Sequence, residues 1–164
     1  MSVGILKFLV ITLPSFWLAS TCLINFVIIR LIFSEIDSFF VAGTVGMKLF
    51  TTYNKIELFF AFAMILSIGR LIFKNQFPKL LFLLGIPLLI IPLFYEFYLT
   101  SKISELTILW EKADLMGINS INGIPDIQQE HQFFHRLYIV IDSAKLFLIS
   151  FSLILCSIFS LRSK

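Results

Sequence analysis

Charge is scarce in this chain. Asp, Glu, Lys and Arg make up 14% of its 164 residues, where a soluble domain carries about 25%. Hydrophobic residues make up 59%, and twenty residues are Phe. Those proportions exclude an ordinary soluble domain. The net charge of +3 is spread thinly. No run of Lys and Arg is present, which argues against nucleic acid and against a polybasic lipid site. Cysteine is nearly absent too. Cys22 and Cys156 both lie in hydrophobic stretches and read as small apolar residues, not as a disulfide or a metal pair. The chain also lacks a Gly-rich phosphate loop and any Ser or Cys set in a nucleophile motif. No catalytic residue is identified, and the chain reads as non-enzymatic.

What remains is apolar sequence in long blocks, each near the roughly 18 residues that cross a bilayer as a helix. The expected fold is an all-α membrane protein: one domain over 1–164, with four transmembrane helices in one bundle. The first span is placed at about 5–33. Lys7 ahead of an apolar core has the look of a signal peptide, and Leu18-Ala19-Ser20-Thr21-Cys22 that of a weak lipoprotein cleavage site. Thr21 is a poor residue there, and apolar sequence continues through Ile29, so an uncut span is expected. The stretch 34–54 opens with Glu35 and Asp37 and holds Gly43 and Gly46. It reads as an interfacial or re-entrant segment.

The second span is placed at 56–73, where Ala63 and Ser67 give a small-residue contact. The third, 80–99, contains Pro87 and Pro92, which are expected to kink it. A polar loop is expected over 101–130. Inside it Ile103, Leu106, Trp110 and Ala113 suggest an amphipathic helix with Trp110 at the membrane surface. Gly117 ends that helix, Asn122-Gly123 and Pro125 mark a turn, and Asp126 with Gln129 resembles a capping box. The last span is placed at 137–161. Its helical pattern runs roughly 35 residues, or ~50 Å, against a hydrocarbon core of ~30 Å. The last helix is therefore expected to project about three turns beyond the core.

Basic residues set the expected orientation. Lys7, Arg70, Lys74, Lys79, Arg162 and Lys164 lie on one side, in a short loop and two short tails. Arg30, Lys48, Lys55, Lys102, Lys112 and Arg136 lie on the other, diluted in acidic sequence. The positive-inside rule weighs short loops most heavily, which puts both termini in the cytoplasm. The expected location is a bacterial cytoplasmic membrane.

One polar stripe interrupts the last span. His131, His135, Tyr138, Asp142 and Lys145 are spaced four, three, four and three apart, which is one face of an α-helix. An ion inside a span is costly and normally faces a partner or a cavity. Counting depth from the helix ends brings Asn25, Arg30 and Glu96 to the level of Asp142 and Lys145. Arg30, Glu96, Tyr138, Asp142 and Lys145 are thus the candidate binding cluster. Two uses are open: an ion-pair cluster that fixes helix order, or the floor of an outward-facing cavity for a small ligand, ion or proton. Lys145 and Arg30 snorkelling separately to the interface is a further alternative.

His131 and His135 form H-x-x-x-H, a spacing found in metal sites. Glu130 points elsewhere, so this is not H-E-x-x-H. A solvated histidine pair competes with a metal pair. Haem within a monomer is not expected, because both histidines ride on one helix. No other cofactor is implied.

The run Phe134-His135-Arg136-Leu137-Tyr138 with Asp142, Lys145 and Leu146 resembles the closing helix of the transmembrane protein 205-like family. The earlier layout is similar: a long first span, Ala42-Gly43 ahead of Lys48-Leu49-Phe50, and a basic second loop. The resemblance implies a four-helix membrane protein whose bacterial members have no assigned reaction. Three functions remain open. The first is a membrane protein whose polar outer cluster binds or passes a small ligand or ion. The second is a structural or assembly subunit, alone as a homo-oligomer or within a larger membrane complex. The third and weakest is a metal- or redox-linked protein using the histidines.

Overall fold

Helices that are apolar around their whole circumference have no reason to shed water from one face only. They suit a bundle whose outside is also apolar. A computed structural model of the protein describes residues 2–115 and 124–162. Four long helices account for nearly all of them: α1 (Val3–Glu35), α2 (Phe39–Phe73), α3 (Leu80–Leu115) and α4 (Ile124–Arg162). All four are long and apolar enough to cross a membrane. The protein is an all-α four-helix bundle. Large apolar side chains such as Phe8, Phe16, Phe59, Leu66 and Phe147 face outward, as an integral membrane protein requires.

The helices run up and down in turn. Each packs on its two neighbours in a closed ring, α1 on α2, α2 on α3, α3 on α4 and α4 on α1. The lower end carries the N-terminus, the 74–79 link and Arg162. The upper end carries the 36–38 link, Leu115 and Ile124. Ser38 starts α2 by accepting the Val41 amide on its Oγ at 3.4 Å, an N-cap. Asn75 ends α2 with φ of 53°. The amides of Asn75 and Gln76 return to the carbonyls of Ile72 and Leu71, both at 2.9 Å. That pattern is a left-handed helix stop, for which Asn is well suited. Phe77 then plugs the lower core against Phe159.

Two expectations are corrected. The stretch 34–54 is not a separate interfacial or re-entrant segment; from Phe39 it is the upper half of α2. Glycine weakens a helix by only about 1 kcal/mol, and Gly46 is buried 3.8 Å from Ile29 of α1, measured from where a Cβ would sit. Helix packing outweighs the propensity. The region 101–130 is not a loop over most of its length. α3 runs on to Leu115 because Ile103, Leu106 and Thr107 are buried, and α4 already begins at Ile124. The stop at Gly117 and the Asn122-Gly123 turn lie outside the described residues. The last helix is as long as expected, and the other three are nearly as long. Helices of 33, 35, 36 and 39 residues reach ~50–58 Å, so all four overrun a ~30 Å core together.

The helices are not uniformly α. A π-helical turn occupies Ile24–Ile28 in α1 and another Tyr95–Leu99 in α3, the second within one turn of Pro92. Each adds a residue to its turn and so changes which side chains point inward above and below it. Below these turns the core is dry, built on Leu6, Val10, Met64, Ile68, Leu88 and Ile149. Gly85 makes the closest approach there: a Cβ on it meets Ile65 Cγ1 at 3.0 Å. We expect Gly85→Leu to destabilise the bundle by ~1–3 kcal/mol through overpacking. Gly43→Ala, whose Cβ meets nothing within 4 Å, should gain about 0.5–1 kcal/mol from helix propensity. Thermal unfolding in one detergent reads both, and equal midpoints would contradict the close α2–α3 contact.

Candidate functional site

Each helix turns one regularly spaced row of residues inward. On α2 these are Tyr53, Asn54, Glu57 and Ala61; on α4, Tyr138, Asp142, Lys145 and Ile149. On α1, Trp17, Thr21 and Ile24 are buried, and on α3, Tyr95 and Leu99. Spacings of three and four make these rows single faces. Where the rows meet, near mid-length, the bundle contains a polar layer.

Lys145 stands at its centre, with 1% of its side chain exposed. Its Nζ lies 2.5 Å from Glu57 Oε1 and 2.5 Å from Asp142 Oδ1. It also sits 5.2 Å from the ring centroid of Tyr95, a cation–π contact. Glu57 Oε1 accepts two more hydrogen bonds, from Trp17 Nε1 at 2.9 Å and from Thr21 Oγ1 at 3.4 Å. Asn25 Nδ2 donates to Asp142 Oδ2. Around this core, the Tyr53 hydroxyl bonds Ser20 at 2.7 Å and Thr21 at 2.8 Å. Tyr95 stacks on Tyr138 with centroids 4.6 Å apart. Asn54 Nδ2 donates to Thr100 Oγ1 at 2.9 Å. The two π-helical turns fall at this level, and each contributes one member, Asn25 or Tyr95.

The charge does not balance. Two carboxylates share one ammonium. Glu57 is fully buried, and its Oε2 has no hydrogen-bond partner among the described residues.

Above the layer the packing opens. The lower part of α1 lies along α4, but Ile29–Glu35 packs on α2 instead. The gap is a cavity of about 690 Å³ lined by all four helices, a volume typical of small-molecule sites. Asn25 and Asp142 form its floor. Phe26, Phe33, Phe39, Phe50, Trp110 and Tyr138 supply aromatic wall, and Gly43 and Gly46 leave its α2 side open. His131, His135 and Arg136 stand near its upper rim.

The stripe on α4 therefore faces this space. The structure brings Tyr138, Asp142 and Lys145 together and leaves out two of the expected partners. Arg30 is exposed. Glu96 lies 4.0 Å from Lys55 near the bundle surface. Glu57 takes their place as the partner of Lys145. It is an acid just inside the apolar start of the second span, and a lone acid in such a run is itself a signal that a buried cation must be near.

The histidines sit apart from the cluster. His131 Nε2 is 3.1 Å from Thr107 Oγ1, and its ring meets Trp110 edge-on at 5.5 Å. The His131 and His135 rings lie parallel with centroids 6.3 Å apart. Among the described residues no third His, Cys, Asp or Glu joins them in a group that could hold a metal. Trp110 also packs against Phe39 and Phe40. No family model, curated protein or solved structure matches the chain.

The uneven charge count predicts uneven mutational costs. Lys145→Met strands two buried carboxylates and should cost ~3–5 kcal/mol. Glu57→Gln leaves Lys145 and Asp142 as a balanced pair and should cost less than about 2 kcal/mol. Combining them should cost less than the sum, as coupled residues do. Thermal stability of the four proteins in one detergent measures this. A Glu57→Gln penalty equal to that of Lys145→Met would contradict the shared-ammonium arrangement.

Proposed function

We propose that this protein is a non-enzymatic integral membrane protein that binds a small ligand in its upper cavity. The observation that carries the reading is a 690 Å³ space with apolar walls and an ionic floor. A packing-only role for the ion cluster needs no such space above it. The expected orientation, taken from the basic residues of the short 74–79 link and the two tails, has both termini in the cytoplasm. The cavity then opens toward the outer leaflet and the outer aqueous side. The resemblance of the last helix to the transmembrane protein 205-like family is compatible with this reading, and it rests on the quoted residues alone.

Gly43 provides the test of binding. It lines the cavity, and a side chain there meets empty space. Gly43→Leu should narrow the site and displace a molecule lying against α2, while leaving the thermal midpoint unchanged or raised. Native mass spectrometry of protein purified in mild detergent should show a small molecule retained by the unmodified protein and lost from Gly43→Leu. Retention by both would place the ligand elsewhere and remove the proposal.

Orientation has its own test. In a background where Cys22 and Cys156 are replaced, a Cys within 117–123 should react with a membrane-impermeant thiol reagent on intact cells. A Cys at position 74 should not. The reverse labelling pattern would turn the molecule over.

A further inference from the structure

The cavity, its floor and the charge count point to one class of ligand. We infer that the cavity takes a protonated amine carrying an apolar body, with its ammonium seated against Asp142. The inference rests on the ligand-binding reading above and names its chemistry.

Three observations converge. The buried cluster holds two carboxyl groups to one ammonium, a formal surplus of one negative charge at the floor of the cavity. The layer is also short of a donor, because Glu57 Oε2 is fully enclosed without a partner. A buried acceptor in that state is unfavourable and rare. The walls nearest the floor are aromatic: Phe26 beside Asn25, and Phe50 against Tyr138 with ring centroids 5.0 Å apart. Aromatic faces beside a carboxylate are the recognised means of holding an organic cation.

An ammonium group answers each of these together. It brings one positive charge and hydrogen-bond donors to Asp142. Lys145, released from Asp142, can then turn a donor to Glu57 Oε2. The apolar body fills the rest of the space. An inorganic cation would neutralise the floor and leave the apolar walls uncovered; a proton would do the same. An anion would add to the surplus charge. The remaining charged residue on the lining is Arg136. It lies six positions up α4 from Asp142, or ~9 Å along the helix. Its side chain is exposed on the outside of the bundle. His131 and His135 stand higher still.

The test uses three probes with the same apolar body: octylamine, 1-octanol and octanoate. Binding is measured by calorimetry to the full-length protein in lipid nanodiscs near pH 7. The Gly43→Leu protein serves as the baseline for partition into lipid. Octylamine should bind at least about tenfold tighter than octanol, the scale of one charge-assisted hydrogen bond. Octanoate should bind weakest. Asp142→Asn should abolish the preference for the amine. Glu57→Gln removes the surplus charge while keeping Lys145 and Asp142 paired, so it should narrow the preference even if Asp142→Asn does not fold. Equal binding of amine and alcohol, sensitive to Gly43→Leu, would overturn the amine and leave the cavity reading standing. A preference for octanoate would do so too. Binding of none of the probes above the Gly43→Leu baseline would overturn both.

Discussion

Everything in the middle of this bundle is arranged around one ammonium group. Lys145 comes from α4 and Glu57 from α2. These helices face each other across the ring instead of packing side by side. Their ion pair therefore crosses the bundle axis. In an apolar medium the hydrophobic effect does not distinguish one helix register from another, so packing and polar contacts must do so. A charge on the axis is a strong register mark, because sliding α4 by one turn would part Lys145 from Glu57 and leave that buried carboxylate without its cation. Trp17, Thr21 and Asn25 tie α1 to the same atoms, and Tyr95 brings in α3. All four helices are indexed to one level.

That level divides the molecule into two unlike halves. Below it, aliphatic and aromatic side chains interlock, and Gly85 lets α3 close on α2. Above it, α1 bends its allegiance to α2, and the α1–α4 seam parts into a cavity. The π-helical turns sit at the boundary. They re-aim the inward faces just where the packing changes character. Gly43 and Gly46 belong to the upper half for the same reason. A larger residue at Gly43 would project into the space that the turns and the parted seam create.

Much of this was readable in the residues. Four apolar blocks give four helices because nothing else satisfies the backbone in lipid. The α4 stripe gives the cavity-facing side because its spacing admits one face only. The partners of Lys145 were not readable in the same way. Depth counting brings Arg30 and Glu96 to the level of Asp142 and Lys145 and leaves out Glu57. It carries no information on azimuth, and a residue 100° around a helix faces the outside instead of the axis. The π-helical turns shift azimuth again, with no strong sequence mark beyond Pro92. The segment 39–54 misled for another reason. Its glycines and flanking charges argue against a buried helix locally, and only contact with neighbouring helices makes the helix continue. Gly46 shows that contact. The helix expected around Ile103 and Leu106 is present, but as a direct continuation of the third span.

The halves also bear on whether the cavity is a binding site or one mouth of a path. A molecule at Asp142 has the Lys145–Glu57 pair directly beneath it and then a core with buried Met64, Ile68, Leu71, Leu81 and Leu88. Going further would mean parting that pair, which costs ~3–5 kcal/mol unless something replaces it. It would also mean unpacking about three turns of closely fitted helix, where every lost contact adds to the barrier. An incoming cation changes the first term, since it can take over Asp142 and leave Lys145 wholly to Glu57. It does nothing for the second. On the proposed reading its arrival would leave Lys145 wholly to Glu57 and so would keep the bridge across the axis closed. On this geometry the ligand and the register mark support each other, which favours a protein that holds its ligand over one that conducts it.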